Sequence, residues 1–244
     1  MVSAEGPALA VGDANGDGLQ DVFFGSCKFK HSAMYWQNPD GTFSLRTPQP
    51  ILNDSIFEDV DAVFIDLDND ADLDLVVAAG GNEWRGQDEP MKQRWYRNDG
   101  KGHFERFDFP GVYMTASCVR SCDFNNDGLT DLFFGARALP WNYGITPNSA
   151  LLLNKGNGQF EDVAEKTASG LHQAGLVKNA AWADLDADGD QDLVLAVEWE
   201  PVTVFVNETS NSDKPKFSRK NIDARSGWWN LALPCDLDGD GDLD

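Results

Sequence analysis

Five short stretches of the sequence carry acidic side chains at the spacing of a metal-binding loop. Each has a carboxylate or carboxamide at its first, third, fifth and ninth positions, and four of the five have glycine at the sixth. They are DANGDGLQD (13–21), DLDNDADLD (66–74), DFNNDGLTD (123–131), DLDADGDQD (184–192) and DLDGDGDLD (236–244). Oxygen ligands without His or Cys suit a hard cation, and several converging carboxylates favour Ca²⁺ over Mg²⁺. We therefore predict about five Ca²⁺ sites, one in each aspartate loop.

By analogy with EF-hand loops, positions one, three, five and nine supply side-chain oxygens and position seven supplies its backbone carbonyl. The predicted ligands are Asp13, Asn15, Asp17, Leu19 and Asp21; Asp66, Asp68, Asp70, Asp72 and Asp74; Asp123, Asn125, Asp127, Leu129 and Asp131; Asp184, Asp186, Asp188, Asp190 and Asp192; and Asp236, Asp238, Asp240, Asp242 and Asp244. Position six is expected at positive φ, which costs Ala71 on the order of 1 kcal/mol. Acidic turns without a bound ion are the alternative, but carboxylates packed this densely repel one another.

An EF-hand itself is excluded, because the residue three places after each of the first four loops is apolar rather than Glu. The loops start at residues 13, 66, 123, 184 and 236. Between them lie short runs rich in Val, Phe and Leu, which indicate strands, and Gly-containing turns typical of hairpins. Four antiparallel strands in each repeat of roughly 50 residues predict an all-β fold built of β-propeller blades, with an open solenoid as the alternative.

The predicted propeller occupies the whole chain as a single domain. Its blades lie at about 7–47, 56–109, 114–164, 178–220 and 228–244, the last being only the first strand of a fifth blade. Because the sequence ends within that repeat, we expect it to be a piece of a longer protein. The second strand of each blade is apolar without alternation, so it is expected to be buried on both faces.

These motifs resemble the FG-GAP or VCBS repeats of integrin α-chain propellers. Phe24-Gly25 and Phe134-Gly135 match the FG of the name, and residues 151–171 resemble the usual VCBS hairpin. GGNEW, AVEWEP and GWWNLALPCDLDGDGDLD further resemble bacterial surface or secreted proteins related to cartilage acidic protein. The resemblance implies a ring of seven or eight blades when complete, calcium between the first and second strands of a blade, and binding rather than catalysis.

Charge narrows the partners of the chain. Its formal net charge of −22 disfavours nucleic acid and anionic membrane, and it has no apolar run long enough to span a membrane. No signal peptide is recognisable, but calcium sites of modest affinity suit an extracellular, cell-surface or periplasmic location. The expected partner is a protein or glycan.

Recognition is expected on the loops between strands two and three and between blades, because these vary while the aspartate loops repeat. The residues of interest there are Glu83, Trp84, Arg85, Arg137, Trp141, Tyr143, Glu198, Trp199 and Trp228. Blade packing is the other role open to these aromatic side chains. The sequence also leaves open a polysaccharide-acting enzyme, for which only His31, His103 and His172 are available as histidines, or a scaffold for other domains.

Overall fold

The computed structural model describes residues 6–222, 225–241 and 243, and it has an all-β architecture. Four sheets of four antiparallel strands follow one another along the chain, and each sheet has its strands in sequence order. The strands are β1 (Leu9–Gly12), β2 (Asp21–Phe24), β3 (Ala33–Gln37), β4 (Phe43–Leu45), β5 (Asp59–Ile65), β6 (Asp74–Ala79), β7 (Lys92–Arg97), β8 (Glu105–Tyr113), β9 (Thr115–Cys122), β10 (Asp131–Ala138), β11 (Ala150–Asn154), β12 (Phe160–Asp162), β13 (Leu176–Ala183), β14 (Asp192–Glu198), β15 (Thr203–Asn207) and β16 (Phe217–Asn221). The predicted blades are thereby confirmed as meanders of four strands.

The first four aspartate loops each join the first strand of a blade to the second. Gly12 pairs with Asp21, Ile65 pairs with Asp74, and Ala183 pairs with Asp192, so the ninth loop residue begins the second strand. Short helices α1 (Gln49–Asn53) and α2 (Ala164–Thr167) follow the fourth strands of blades one and three, and a 3₁₀ turn (Glu89–Met91) precedes β7. Consequently the aspartate loops and the hairpins between strands three and four lie at the same end of each blade.

The chain divides into two compact units, each built on two blades. Residues 1–119 and 139–143 form the first unit, and residues 120–138 and 144–244 form the second. The first has a buried core that includes Phe23, Met34, Leu75 and Tyr96. The second includes a cluster of Val194, Val204 and Val206, against which Leu185, Val202 and Ala232 pack.

The first blade differs from the others in the burial of its second strand. Strands β6, β10 and β14 are buried along their whole length, as predicted, whereas Phe24 of β2 is exposed. Exposed apolar residues of this sheet are Leu9, Val11, Phe24, Phe43 and Leu45. The prediction fails for β2 because, among the residues that the structure describes, the first unit places no further strand layer over this face.

The predicted first strand of a fifth blade does not form. Trp228 makes an isolated bridge with Glu198, and the described residues after it have no strand assignment. In the other blades this segment pairs with the strand that follows the aspartate loop, and here the sequence has no residues after that loop. The segment instead lies along the fourth blade, where Ala232 packs against the valine cluster.

Candidate metal centres and recognition loops

Carboxylates of the aspartate loops converge as the sequence predicts. In three loops the residues at positions one, three and five place ligand oxygens within 4.8 Å of one another. The three sets are Asp66, Asp68 and Asp70; Asp184, Asp186 and Asp188; and Asp236, Asp238 and Asp240. Asp242 and Asp244, the remaining predicted ligands of the fifth loop, lie outside the described residues.

The first residue of each loop organises the backbone around it. Asp66 Oδ1 accepts hydrogen bonds from the Asn69 and Asp70 amides at 2.8 and 3.2 Å, and its Oδ2 accepts one from Ala71 at 3.0 Å. Asp13 accepts the corresponding bonds from Gly16, Asp17 and Gly18. The loop is therefore wound around its first carboxylate, in the manner of a large Asx turn.

Two positions of every loop have a left-handed backbone. Position six has φ between 72° at Ala71 and 96° at Gly189, which confirms the expectation for that position. Position four is also left-handed, and the sequence analysis missed it, since the position holds Gly16, Asn69, Asn126, Ala187 and Gly239. Glycine and asparagine tolerate this conformation best, so four of the five residues there were an available signal.

The ninth carboxylate of the first four loops is fully buried and fixes the loop to the third strand of its blade. Asp74 Oδ2 accepts from the Leu67 amide at 3.2 Å, and Oδ1 accepts from the Asn98 amide at 2.8 Å. Burial raises the pKa of Asp74 to about 7 and that of Asp131 to about 8. Each carboxylate oxygen has two lone pairs, so one hydrogen bond leaves capacity for a metal.

An asparagine after the third strand ties neighbouring loops together within each unit. The side-chain amide of Asn98 donates to the Ala14 carbonyl of the first loop at 2.7 Å and to the Leu73 carbonyl of its own loop at 3.0 Å. In the second unit, Asn207 donates in the same way to Phe124 and Gln191 at 2.8 and 3.2 Å. The sequence suggested only turn residues at these places.

The donor set fits calcium. Asp68 Oδ1 is buried and accepts no hydrogen bond from the residues that the structure describes. Burial, and after it the neighbouring Asp70, raises the pKa of Asp68. A buried carboxylate oxygen without a donor is costly unless a cation or water satisfies it, and all of the ligands offered here are oxygens.

The predicted recognition residues of the first unit form a small cluster. Trp141 is 60% exposed, its amide donates to Asn82 Oδ1 at 3.0 Å, and the Arg85 guanidinium lies 4.9 Å from its ring centroid. Glu83 pairs with Lys28 at 2.8 Å, and that hydrogen bond lowers the pKa of Glu83. Trp84 is half-buried, and its Nε1 is buried without a hydrogen-bond partner among the described residues.

In the second unit the structure separates two kinds of predicted residue. Arg137, expected in a loop, lies within β10 with an exposure of 8%, because that strand continues to Ala138. It faces the buried Glu198 carboxylate at 3.5 Å. Trp199 and Trp228 are 45% and 56% exposed, and their rings meet edge to face at 5.9 Å.

Comparison with known proteins identifies the repeat. A family model described as "FG-GAP-like repeat" matches residues 13–77, 66–134, 123–195 and 184–244. This chain belongs to the FG-GAP-like repeat family. The resemblance drawn from the aspartate loops and Phe-Gly pairs is thus confirmed, and the four blades correspond to the four FG-GAP matches.

One solved structure similar to this FG-GAP chain is the V. cholerae biofilm matrix protein Bap1. The two share 17% identity over 93% of this chain, with a TM-score of 0.40. The alignment covers 40% of Bap1, so the chain spans less than half of that protein's length. No curated protein matches the chain significantly. Among the described residues no helix is both long and apolar enough to cross a membrane.

Proposed function

We propose that this chain is a non-catalytic, calcium-binding FG-GAP module of a secreted or cell-surface protein. In this proposal calcium organises the aspartate loops, and recognition of a protein or carbohydrate uses the loops at the other end of the blades. The observation that carries the calcium proposal is the convergence of three carboxylates within 4.8 Å in each of three loops. Like charges this close raise the free energy of the folded state unless a cation lies between them.

The residues that would hold the ion are those at positions one, three, five, seven and nine. A bound calcium supplies positive charge that offsets the repulsion among these carboxylates. It also contributes to folding, because the unfolded chain has no preformed set of ligands. Extracellular calcium modules have dissociation constants on the order of 10⁻⁴–10⁻³ M, which supports a location outside the cytoplasm.

The exposed tryptophans support the recognition part of the proposal. Trp141 is kept at the surface by an amide hydrogen bond and a cation–π contact, so its exposed ring is already ordered. Ordered aromatic side chains lose little entropy on binding and dominate many interfaces. Trp199 and Trp228 present a second exposed aromatic pair in the other unit.

Thermal unfolding with and without calcium tests the metal. At a calcium concentration one hundred times the dissociation constant, each site stabilises the folded state by about 2.7 kcal/mol. For a chain of this size that corresponds to a Tm increase of about 5–10 °C per site. We expect EDTA to lower the Tm by at least that amount, and Asp68→Asn to remove one site's share of the calcium effect.

Asp213→Asn is the matched control, because Asp213 is an exposed aspartate outside every aspartate loop. It should leave the response to calcium unchanged. A Tm that neither EDTA nor added calcium alters would contradict the calcium proposal.

A glycan array and a pull-down from extracellular fractions test recognition. We expect saturable binding that Trp141→Ala or Trp199→Ala weakens at least tenfold, and that Ile222→Ala, which also alters an exposed apolar residue, leaves unchanged. Turnover of a polysaccharide would overturn the non-catalytic assignment. Unchanged binding by both tryptophan variants would overturn the assigned surface.

A further inference from the structure

A cavity of about 540 Å³ opens at the calcium-loop end of the first unit. Its wall combines the first aspartate loop, the end of the first blade's hairpin and the hairpin that joins β7 to β8. The polar and aromatic residues that line it include Asn15, Asp17, Trp36, Arg46, Lys101 and His103. Ligand pockets commonly have volumes of about 300–1,000 Å³ and combine an apolar wall with a few polar groups. This cavity meets both conditions.

Trp36 forms a fixed aromatic wall of the cavity. Its indole Nε1 donates to the Arg46 carbonyl at 2.6 Å. The other end of the ring lies against Gly102, where a methyl group on the Cα would stand 2.5 Å from Trp36 Cη2. The ring also packs against the buried core of the unit. Because these contacts hold the ring, a ligand that stacks on it would not have to order it first.

The charge of the cavity is opposite to that of the chain. The chain has a formal charge of −22, yet the cavity is lined by Arg46, Lys101 and His103 and by one carboxylate, Asp17. Asp17 is occupied by its own loop, since Oδ1 accepts from the Leu19 amide at 2.9 Å. Within the described part of the chain, neither Arg46 nor Lys101 forms an ion pair.

We propose that this cavity binds an acidic saccharide of the uronic acid type. The apolar face of a sugar ring lies on Trp36, and the carboxylate of the sugar pairs with Arg46 and Lys101. A neutral sugar would leave the two cations without a counter-charge, and an acidic peptide would not use the aromatic wall. This site is separate from the Trp141 and Trp199 surface and does not depend on binding there.

Titration calorimetry with oligosaccharides of defined length tests the assignment. The probes are a tetramer of galacturonic acid, the neutral galactose tetramer and hexaglutamate, each titrated into the full chain with calcium present throughout. We expect saturable binding of the galacturonate tetramer only. Raising the NaCl concentration should weaken it, because salt screens exposed ion pairs.

Variants separate the two parts of the site. Arg46→Gln and Lys101→Gln should each weaken galacturonate binding about tenfold, or roughly 1.4 kcal/mol. Both residues are exposed, so circular dichroism should show a native fold. Trp36→Ala should abolish binding, whereas Trp141→Ala should leave it unchanged.

Three results would overturn the proposal: no binding of the galacturonate tetramer, equal affinity for the galactose tetramer or hexaglutamate, or full affinity in both the Arg46→Gln and Lys101→Gln variants.

Discussion

Exchanging the residue at position six between two aspartate loops isolates the energetic cost of the loop backbone. Position six is Ala71 in the second loop, with φ of 72°, and Gly189 in the fourth, with φ of 96°. The substitutions Ala71→Gly and Gly189→Ala change the same methyl group in opposite directions. No heavy atom of the described residues lies within 4 Å of a methyl group placed on Gly189, so steric overlap does not contribute.

Two terms set the magnitude. A left-handed backbone costs an L-residue about 1–2 kcal/mol relative to glycine. Against this, alanine reduces the conformational freedom of the unfolded chain, which is worth about 0.4–1 kcal/mol. The difference is about 0.5–1 kcal/mol. Ala71→Gly should therefore stabilise the folded state by that amount, and Gly189→Ala should destabilise it equally.

Calorimetric unfolding in saturating calcium measures the effect as a Tm shift of about 1–4 °C, upward for Ala71→Gly and downward for Gly189→Ala. Gly6→Ala is the control, because Gly6 has open space around its Cα and no left-handed φ. That variant should leave the Tm unchanged or raise it. A neutral Gly189→Ala together with a destabilising Ala71→Gly would refute the backbone argument.

Three further substitutions test the packing around the loops. Asn98→Ala leaves two carbonyl groups without their donor and should destabilise the first unit by about 2–4 kcal/mol, measured by urea unfolding. Arg94→Ala breaks a buried ion pair and should cost about 3–5 kcal/mol in the same assay, whereas Arg97→Ala, in an exposed pair, should cost less than about 1 kcal/mol. Gly102→Ala should shift the tryptophan fluorescence spectrum and lower the Tm, because the new methyl group displaces Trp36; an unchanged spectrum and Tm would contradict the packing described for that ring.

The repeat and its strand order could be predicted from the sequence because both are local. Carboxylates at alternate positions and a glycine at position six define the loop, and the apolar runs on either side of it can only be short strands. The left-handed residue at position four was less visible, because Ala187 occupies it in one loop. One alanine was enough to obscure a pattern that the backbone maintains in every copy.

Long-range hydrogen bonds could not be predicted in the same way. The sequence aligns Asn38 with Asn98, since both begin a hairpin, but the structure gives Gln37 the place of Asn98. The Gln37 amide donates to Asp21 at 3.0 Å, as that of Asn98 does to Asp74, while Asn38 bonds to Thr42 and Ser44 within its own turn. Strand register decides which of the two residues reaches the loop, and composition does not reveal it.

Burial was predicted least well where it depends on neighbouring layers. Arg137 follows a Phe-Gly pair and appeared to begin a loop, but continued pairing of the third blade places it in a strand. Phe24 belongs to an equally apolar strand, yet it is exposed. Whether a face is covered depends on the element packed against it, and this information lies outside the segment itself.

The asparagine bonds define the smallest piece of this protein that can be excised intact. Asn98 belongs to the second blade but completes the loop of the first, and Asn207 belongs to the fourth blade but completes the loop of the third. A first or third blade expressed alone would lose that donor and expose a carbonyl group of its aspartate loop. The sequence repeats with every blade, but a structurally self-sufficient building block comprises two consecutive blades, and engineered truncations should be placed accordingly.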